Sequence, residues 1–373
     1  MSTPTSRIPA LDGLRGLAVL IVFCFHYAGG THSSHWFLRA FGRVNEAGWS
    51  GVTLFFVLSG FLITGILWDS SSDPHWLRNF YMRRALRILP LYYGALALAL
   101  IAAAIAGEFR GALHSIWIPI LFLQNFPGLS ERVQQLPSPL ILHHLWTLAV
   151  EEQFYLLWPL LLLRRSHRSA TRLCIAIFCL SLAFRIGSCA FGWQIPDSTA
   201  FLLSRAGELA AGAWLALAYR GCHWQFVQRI APVTLLTSLA IFGLTSWMQG
   251  SALLVGNWQY VVGLLAVTAA FASLLALLLR PGRLQRLVSA AWLRWLGTMS
   301  FGIYVFHLLL RPLYWQVTHR IVPNSSGAAY LVTRFIVAAT ATLAISWMSY
   351  RFYETRFLRM KRRFASAPKL AGT

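Results

Sequence analysis

The sequence predicts an all-α integral membrane protein with about ten transmembrane helices and both termini in the cytoplasm. Three observations carry this. Of its 373 residues, 57% are hydrophobic and 12% charged, where a soluble domain carries about 25% charged residues. Apolar stretches of roughly 20 residues, the length that crosses a bilayer, recur along the whole chain. The basic residues outnumber the acidic ones 32 to 11, for a net charge of +21, and they gather in short runs between those stretches. Mean hydropathy is +0.59. Such a composition excludes an ordinary soluble enzyme, a disordered regulator and a secreted disulfide scaffold.

The expected spans are residues 11–28, 48–68, 88–106, 143–163, 173–193, 201–219, 231–248, 258–279, 295–311 and 330–350. The first carries Asp12 and Arg15, so it reads as a retained span rather than a cleaved signal peptide. Residues 114–129 are short and broken by Pro119, Asn125 and Pro127, and charge decides their status. With ten spans, 22 of the 32 basic residues face the cytoplasm, among them Arg7 and seven in the tail, and 6 face outward. A full crossing at 114–129 would turn 17 of the 22 outward, against the positive-inside rule. That stretch is therefore expected to be re-entrant or interfacial, tolerated where protein buries it. Residues 1–350 form one membrane domain, and 351–373 a short basic cytoplasmic tail.

Topology accounts for the positive charge, so no nucleic-acid partner is expected; the partner is the lipid bilayer. Five cysteines with no CxxC or Cys/His spacing predict neither a disulfide framework nor a metal site.

Ionisable groups inside spans are costly unless paired or hydrated, which makes them functional candidates. These are Asp12, Arg15, His26, Glu151, Glu152, Arg185, Arg205, Glu208, His307, Arg334 and Glu354. Arg15 and His26 are eleven residues apart, which is about 20° past three full turns, so they share one helix face about 16 Å apart along the axis. The plain alternative is that Arg15 snorkels to headgroups and His26 packs at a helix end. Arg84 and Arg87, at i,i+3, are neighbours on a helix surface and suit a phosphate, or simply anchor the span. Glu151 lies about 12 Å into its span and needs a partner, His or Arg. Arg205 and Glu208 can satisfy each other at i,i+3. His307 falls at a depth like that of His26. Leu58-Ser59-Gly60-Phe61 lacks the glycine two residues before the serine, so a nucleophile elbow is not expected.

Taken together, these residues form a basic mouth, a buried histidine on the same helix face and a mid-membrane carboxylate. That suits an enzyme taking an anionic activated donor, with His as general base on a hydroxyl. A transporter or flippase of an anionic solute would use similar groups.

The blocks Leu11-Asp12-Gly13-Leu14-Arg15-Gly16 with His26, Phe55-Phe56-Val57-Leu58-Ser59-Gly60-Phe61 and Arg84/Arg87 before Ile88-Leu89-Pro90 resemble the acyltransferase 3 family of bacterial membrane O-acyltransferases. So do Trp146-Thr147-Leu148-Ala149-Val150-Glu151 with Phe154-Tyr155, Ser300-Phe301-Gly302-Ile303-Tyr304-Val305-Phe306-His307 and Ser349-Tyr350-Arg351-Phe352-Tyr353-Glu354. The resemblance runs nearly the full length, in the family's order. It departs at Phe301, Val305 and Phe306, and at Arg356, where a proline is usual.

The resemblance implies a ten-span protein of the bacterial cytoplasmic (inner) membrane that moves an acyl group from cytoplasmic acyl-CoA, acetyl-CoA first, to a hydroxyl. The acceptor it implies is a carbohydrate or lipid-linked glycan of the envelope, such as O-antigen or exopolysaccharide; a macrolide or Nod factor is the alternative. The sequence shows no hydrolase-like domain after the membrane part, which argues against peptidoglycan. In this reading His26, Arg15 and Glu151 are catalytic, and Arg84, Arg87 and Arg15 hold the donor. Trp146, Tyr155, Tyr304 and His307 contact substrate. No metal is implied, and a homodimer stays open.

Overall fold

The computed structural model describes residues 8–29, 36–137, 139–193, 199–323 and 327–364; Arg7 and the tail beyond Phe364, Lys369 included, lie outside them. All regular structure among the described residues is helical. Ten helices coincide with the ten expected segments: α1 (Pro9–Tyr27), α2 (Ser50–Ser70), α3 (Trp76–Ile105), α4 (Trp146–Leu162) and α5 (His167–Ala190). They continue as α6 (Leu202–Arg220), α7 (Trp224–Gln249), α8 (Leu264–Leu278), α9 (Ala291–Leu309) and α10 (Ala328–Met348).

Seven of these lie in helices long and apolar enough to cross a membrane, or eight if α9 and the Arg311–Ile321 helix, bent by 64°, form one broken span. The protein is therefore a multi-pass membrane protein. Of the three that do not qualify alone, α4 is only 17 residues long, and α6 and α9 are largely interior. In α6 and α9, 12 of 19 residues are buried, whereas α7 buries 4 of 26. Helices enclosed by protein can carry Arg205, Glu208 or His307; α7, with Val233, Leu236, Leu244 and Trp247 exposed, needs an apolar outer surface to meet lipid.

Two close helix pairs build the interior. On α1, Gly13 and Gly16 abut the carbonyls of Val288 and Leu293, and Gly297 of α9 abuts that of Asp12, with no room for a Cβ at any of the three. Gly60 of α2 and Gly212 of α6 make the same kind of contact with Leu209 and Val57. Small residues let backbones approach closely where lipid offers no hydrophobic drive. The Ser59-Gly60 pair thus has a packing role for its glycine.

The 114–129 stretch forms no span-length helix. It contains the last two residues of the short helix Phe109–Ser115 and the whole of Trp117–Ile120, and then turns. Its polar groups are taken up by α3, α4 and the turn before α4. Tyr92 donates to the Pro119 carbonyl at 2.7 Å, Gln124 to the Leu145 carbonyl at 3.0 Å, and Asn125 exchanges bonds with Gln153 at 2.9 and 2.8 Å. All five cysteines are free. After α10 a π-helical turn, Ser349–Glu354, continues the helix into Thr355–Met360 and a 3-10 turn, Lys361–Phe364. These pack along α3.

Candidate active site

Two cavities meet at three arginines. Arg15 of α1 and Arg84 and Arg87 of α3 line both. The outer cavity adds Arg83, Lys361, Ser70, Trp76 and Asn79, and among the described residues no acidic side chain lines it. The inner one adds Ser59, Thr147, Glu151, Tyr155 and Tyr304. The i,i+3 spacing of Arg84 and Arg87 turns both into this space. Arg84 stands over the Tyr155 ring at 5.6 Å and the Phe80 ring at 5.8 Å, contacts that orient a cation on an aromatic face. Arg15 is steadied one turn from Asp12, Nη1 to Oδ1 3.8 Å.

The carboxylate of the inner cavity is fixed by hydroxyls. Tyr155 donates to Ser59 Oγ at 3.2 Å, and Ser59 donates to Glu151 Oε1 at 2.5 Å. One turn before Glu151 on α4, Thr147 donates to the Tyr304 hydroxyl at 2.5 Å, and Tyr304 donates to the His144 carbonyl at 2.6 Å.

Beyond Tyr304 lie three imidazoles. The His26 ring of α1 is 5.2 Å from His307 of α9; His307 is 5.4 Å from His144, and Tyr304 is 5.4 Å from His307. His144 Nε2 lies 3.1 Å from the Val305 carbonyl, and His307 Nδ1 lies 2.6 Å from that of Tyr304. A carbonyl only accepts, so in each ring the bonded nitrogen carries the hydrogen and the other presents a lone pair. Those others, His144 Nδ1 and His307 Nε2, are buried and have no hydrogen-bond partner among the described residues. Tyr27 donates to the His307 carbonyl, tying the end of α1 to α9. Among the described residues no group of three or more His, Cys, Asp or Glu is placed to hold a metal.

The profile of the acyltransferase domain of the acyltransferase 3 family matches residues 8–351. The chain belongs to that family. It is 30% identical over 376 aligned positions to the peptidoglycan O-acetyltransferase OatA of Listeria monocytogenes, covering 93% of this chain and 55% of OatA. YrhL of Bacillus subtilis, provisionally named a peptidoglycan O-acetyltransferase, is 28% identical across 84% of this chain and 52% of its own. A Staphylococcus aureus protein, provisionally named an O-acetyltransferase, is 24% identical across 94% of this chain and 57% of its own. This acyltransferase 3 chain therefore spans about half the length of the curated relatives it matches. No solved structure is significantly similar to it.

In this acyltransferase 3 protein the structure gathers Arg15, Arg84, Arg87, Glu151, Tyr155 and Tyr304 around one cavity, and His26 with His307 beside it. Trp146 stands apart, packed on Phe56 at 6.2 Å with Arg205 over its ring at 5.4 Å. Glu151 and His26 share no hydrogen bond or ion pair. The carboxylate is bonded to Ser59 instead, and the imidazole next to His26 is His307. Arg205 and Glu208 pair at 3.0 Å as spacing predicts, with Arg185 buried nearby. Sequence reasoning missed Ser59, Thr147, His144 and Lys361. A His-His pair opening a span was the one visible signal for His144.

Proposed function

We propose that this chain is a ten-span membrane O-acyltransferase, its Arg-rich end in the cytoplasm. It moves an acetyl group from acetyl-CoA to a hydroxyl of an envelope glycan. Two relatives carry peptidoglycan in their names, which brings that polymer into consideration beside O-antigen and exopolysaccharide. One observation carries the reading: three arginines line a cavity that Tyr304 also lines, and Tyr304 borders the imidazole cluster.

Arg84, Arg87 and Arg15 supply charge-assisted bonds to the donor's diphosphate. The pantetheine arm then runs through the inner cavity toward His26, about 16 Å of helix away. His26 draws the proton from the acceptor hydroxyl as its oxygen attacks the thioester carbonyl carbon. The C–S bond breaks, the ester forms, and the proton passes to the departing sulfur as free CoA thiol. His144 Nδ1 and His307 Nε2, held as acceptors by their tautomers, take hydrogen bonds from acceptor hydroxyls and orient them. Glu151 balances charge within the arginine cavity.

The test compares cells producing the intact protein with cells producing His26→Ala. Base-labile acetate is measured separately on purified peptidoglycan and on the remaining envelope glycans. Acetate on one fraction with the intact protein alone supports the reading and names the acceptor. Equal acetate in both strains overturns it.

A further inference from the structure

The outer cavity holds more positive charge than a diphosphate uses. Arg15, Arg84 and Arg87 stand at its boundary with the inner cavity, while Arg83 and Lys361 line only the outer part. Five cationic side chains round one opening repel each other at such range. Asp12 stands 3.8 Å from Arg15 and Glu151 lines the inner cavity, but among the described residues no acidic side chain lines the outer one to offset Arg83 and Lys361. An anion with a second charged group, farther out than the first, would.

Lys361 reaches this place by way of an anchored tail. The π turn after α10 brings Tyr353 to α3, where its hydroxyl donates to the Pro90 carbonyl at 3.1 Å. Eleven residues on, Phe364 lies under the Arg78 guanidinium at 5.7 Å. These contacts lie on either side of Lys361 and hold it in the wall it shares with Arg83, Arg84 and Arg87, despite the like charge. Lys361 is also one of only two lysines among 32 basic residues. An ammonium binds a phosphate as a compact point charge rather than as a planar fork. Trp76, half-buried on the same wall, offers a flat face to a nucleotide base.

We propose that Lys361 and Arg83 form a second anion subsite, which binds a phosphate monoester on the nucleotide end of the donor. Arg15, Arg84 and Arg87 take the diphosphate. The assignment rests on the acyl-CoA reading above and adds the residues that read the ribose 3′-phosphate. The tail thereby becomes a wall of the donor site.

The experiment measures binding of acetyl-CoA and of 3′-dephospho-acetyl-CoA to the full-length protein in detergent, for wild type, Lys361→Ala and Lys361→Arg. A charge-assisted contact of this kind corresponds to roughly a ten- to hundredfold preference. Wild type should prefer acetyl-CoA by about that factor. Lys361→Ala should bind acetyl-CoA more weakly, leave 3′-dephospho-acetyl-CoA nearly unchanged, and so lose most of the preference; Lys361→Arg should keep it. Equal wild-type affinity for the two donors overturns the subsite while leaving the donor reading intact. Were the site to hold an anionic lipid headgroup instead, Lys361→Ala would leave the preference as it was, which also overturns the subsite. Wild-type binding of neither donor overturns both readings.

Discussion

A single methyl group at Gly16 should loosen the site from a distance. Inside a helix, replacing Gly with Ala ordinarily stabilises by about 1 kcal/mol. At Gly16 the added Cβ would strike the carbonyl oxygen of Leu293, a backbone atom that cannot swing aside. α1 and α9 must then separate, and overpacking of this sort costs roughly 1–3 kcal/mol. Gly16→Ala should therefore end between about neutral and 2 kcal/mol less stable. Gly243→Ala, in α7 with nothing within 4 Å, should gain close to the full 1 kcal/mol or so. The assay is thermal unfolding of both variants in detergent, read by loss of the monodisperse size-exclusion peak, with acetate transfer measured alongside. Because α9 carries His307 at 5.2 Å from His26, parting the helices should lower transfer more than stability. If Gly16→Ala melts above wild type as Gly243→Ala does, the close α1–α9 contact does not exist as described.

Two further outcomes follow from the site. Arg84→Ala should raise the Michaelis constant for acetyl-CoA roughly ten- to hundredfold with kcat little changed, and Arg84→Lys should fall between, having charge but no fork; an unchanged constant with slower turnover would remove Arg84 from donor binding. His307→Gln places an amide oxygen where the free Nε2 stands and should retain more transfer than His307→Leu, with the difference residing in the acceptor's Michaelis constant. Equal loss in both variants would mean that His307 serves packing alone.

Much of the fold was legible because lipid writes it into composition. Each of the ten apolar stretches coincides with a helix, and the interrupted one at 114–129 does not form a long one. Arg15 and His26, and Arg84 and Arg87, were legible because helical spacing places such pairs on one face whatever surrounds them. Partners on other helices were not. Glu151 could be read as a carboxylate in need of company, but Ser59, 92 residues earlier, is brought to it by the fit of α2 against the bundle. His144 falls in the 3-10 turn His143–Leu145, where the helical period gives no direction. Lys361 read as one more tail cation; its position depends on the tail's contacts with α3, Tyr353 on Pro90 and Phe364 under Arg78, which no local charge pattern announces. Trp146 shares a sequence block with Glu151 but faces Arg205, because neighbours in a helix point different ways.

The unbroken run of α1 between Arg15 and His26 has a consequence for which donors can be used. Under the proposed chemistry the helix acts as a ruler about 16 Å long, with charge read at one mark and reaction at the other. Acetyl phosphate offers the same acyl group and a phosphate, but with only one bridging oxygen between them. It can touch one mark or the other, never both, and should be passed over however reactive it is. A carrier too short fails by length before its chemistry is ever tried.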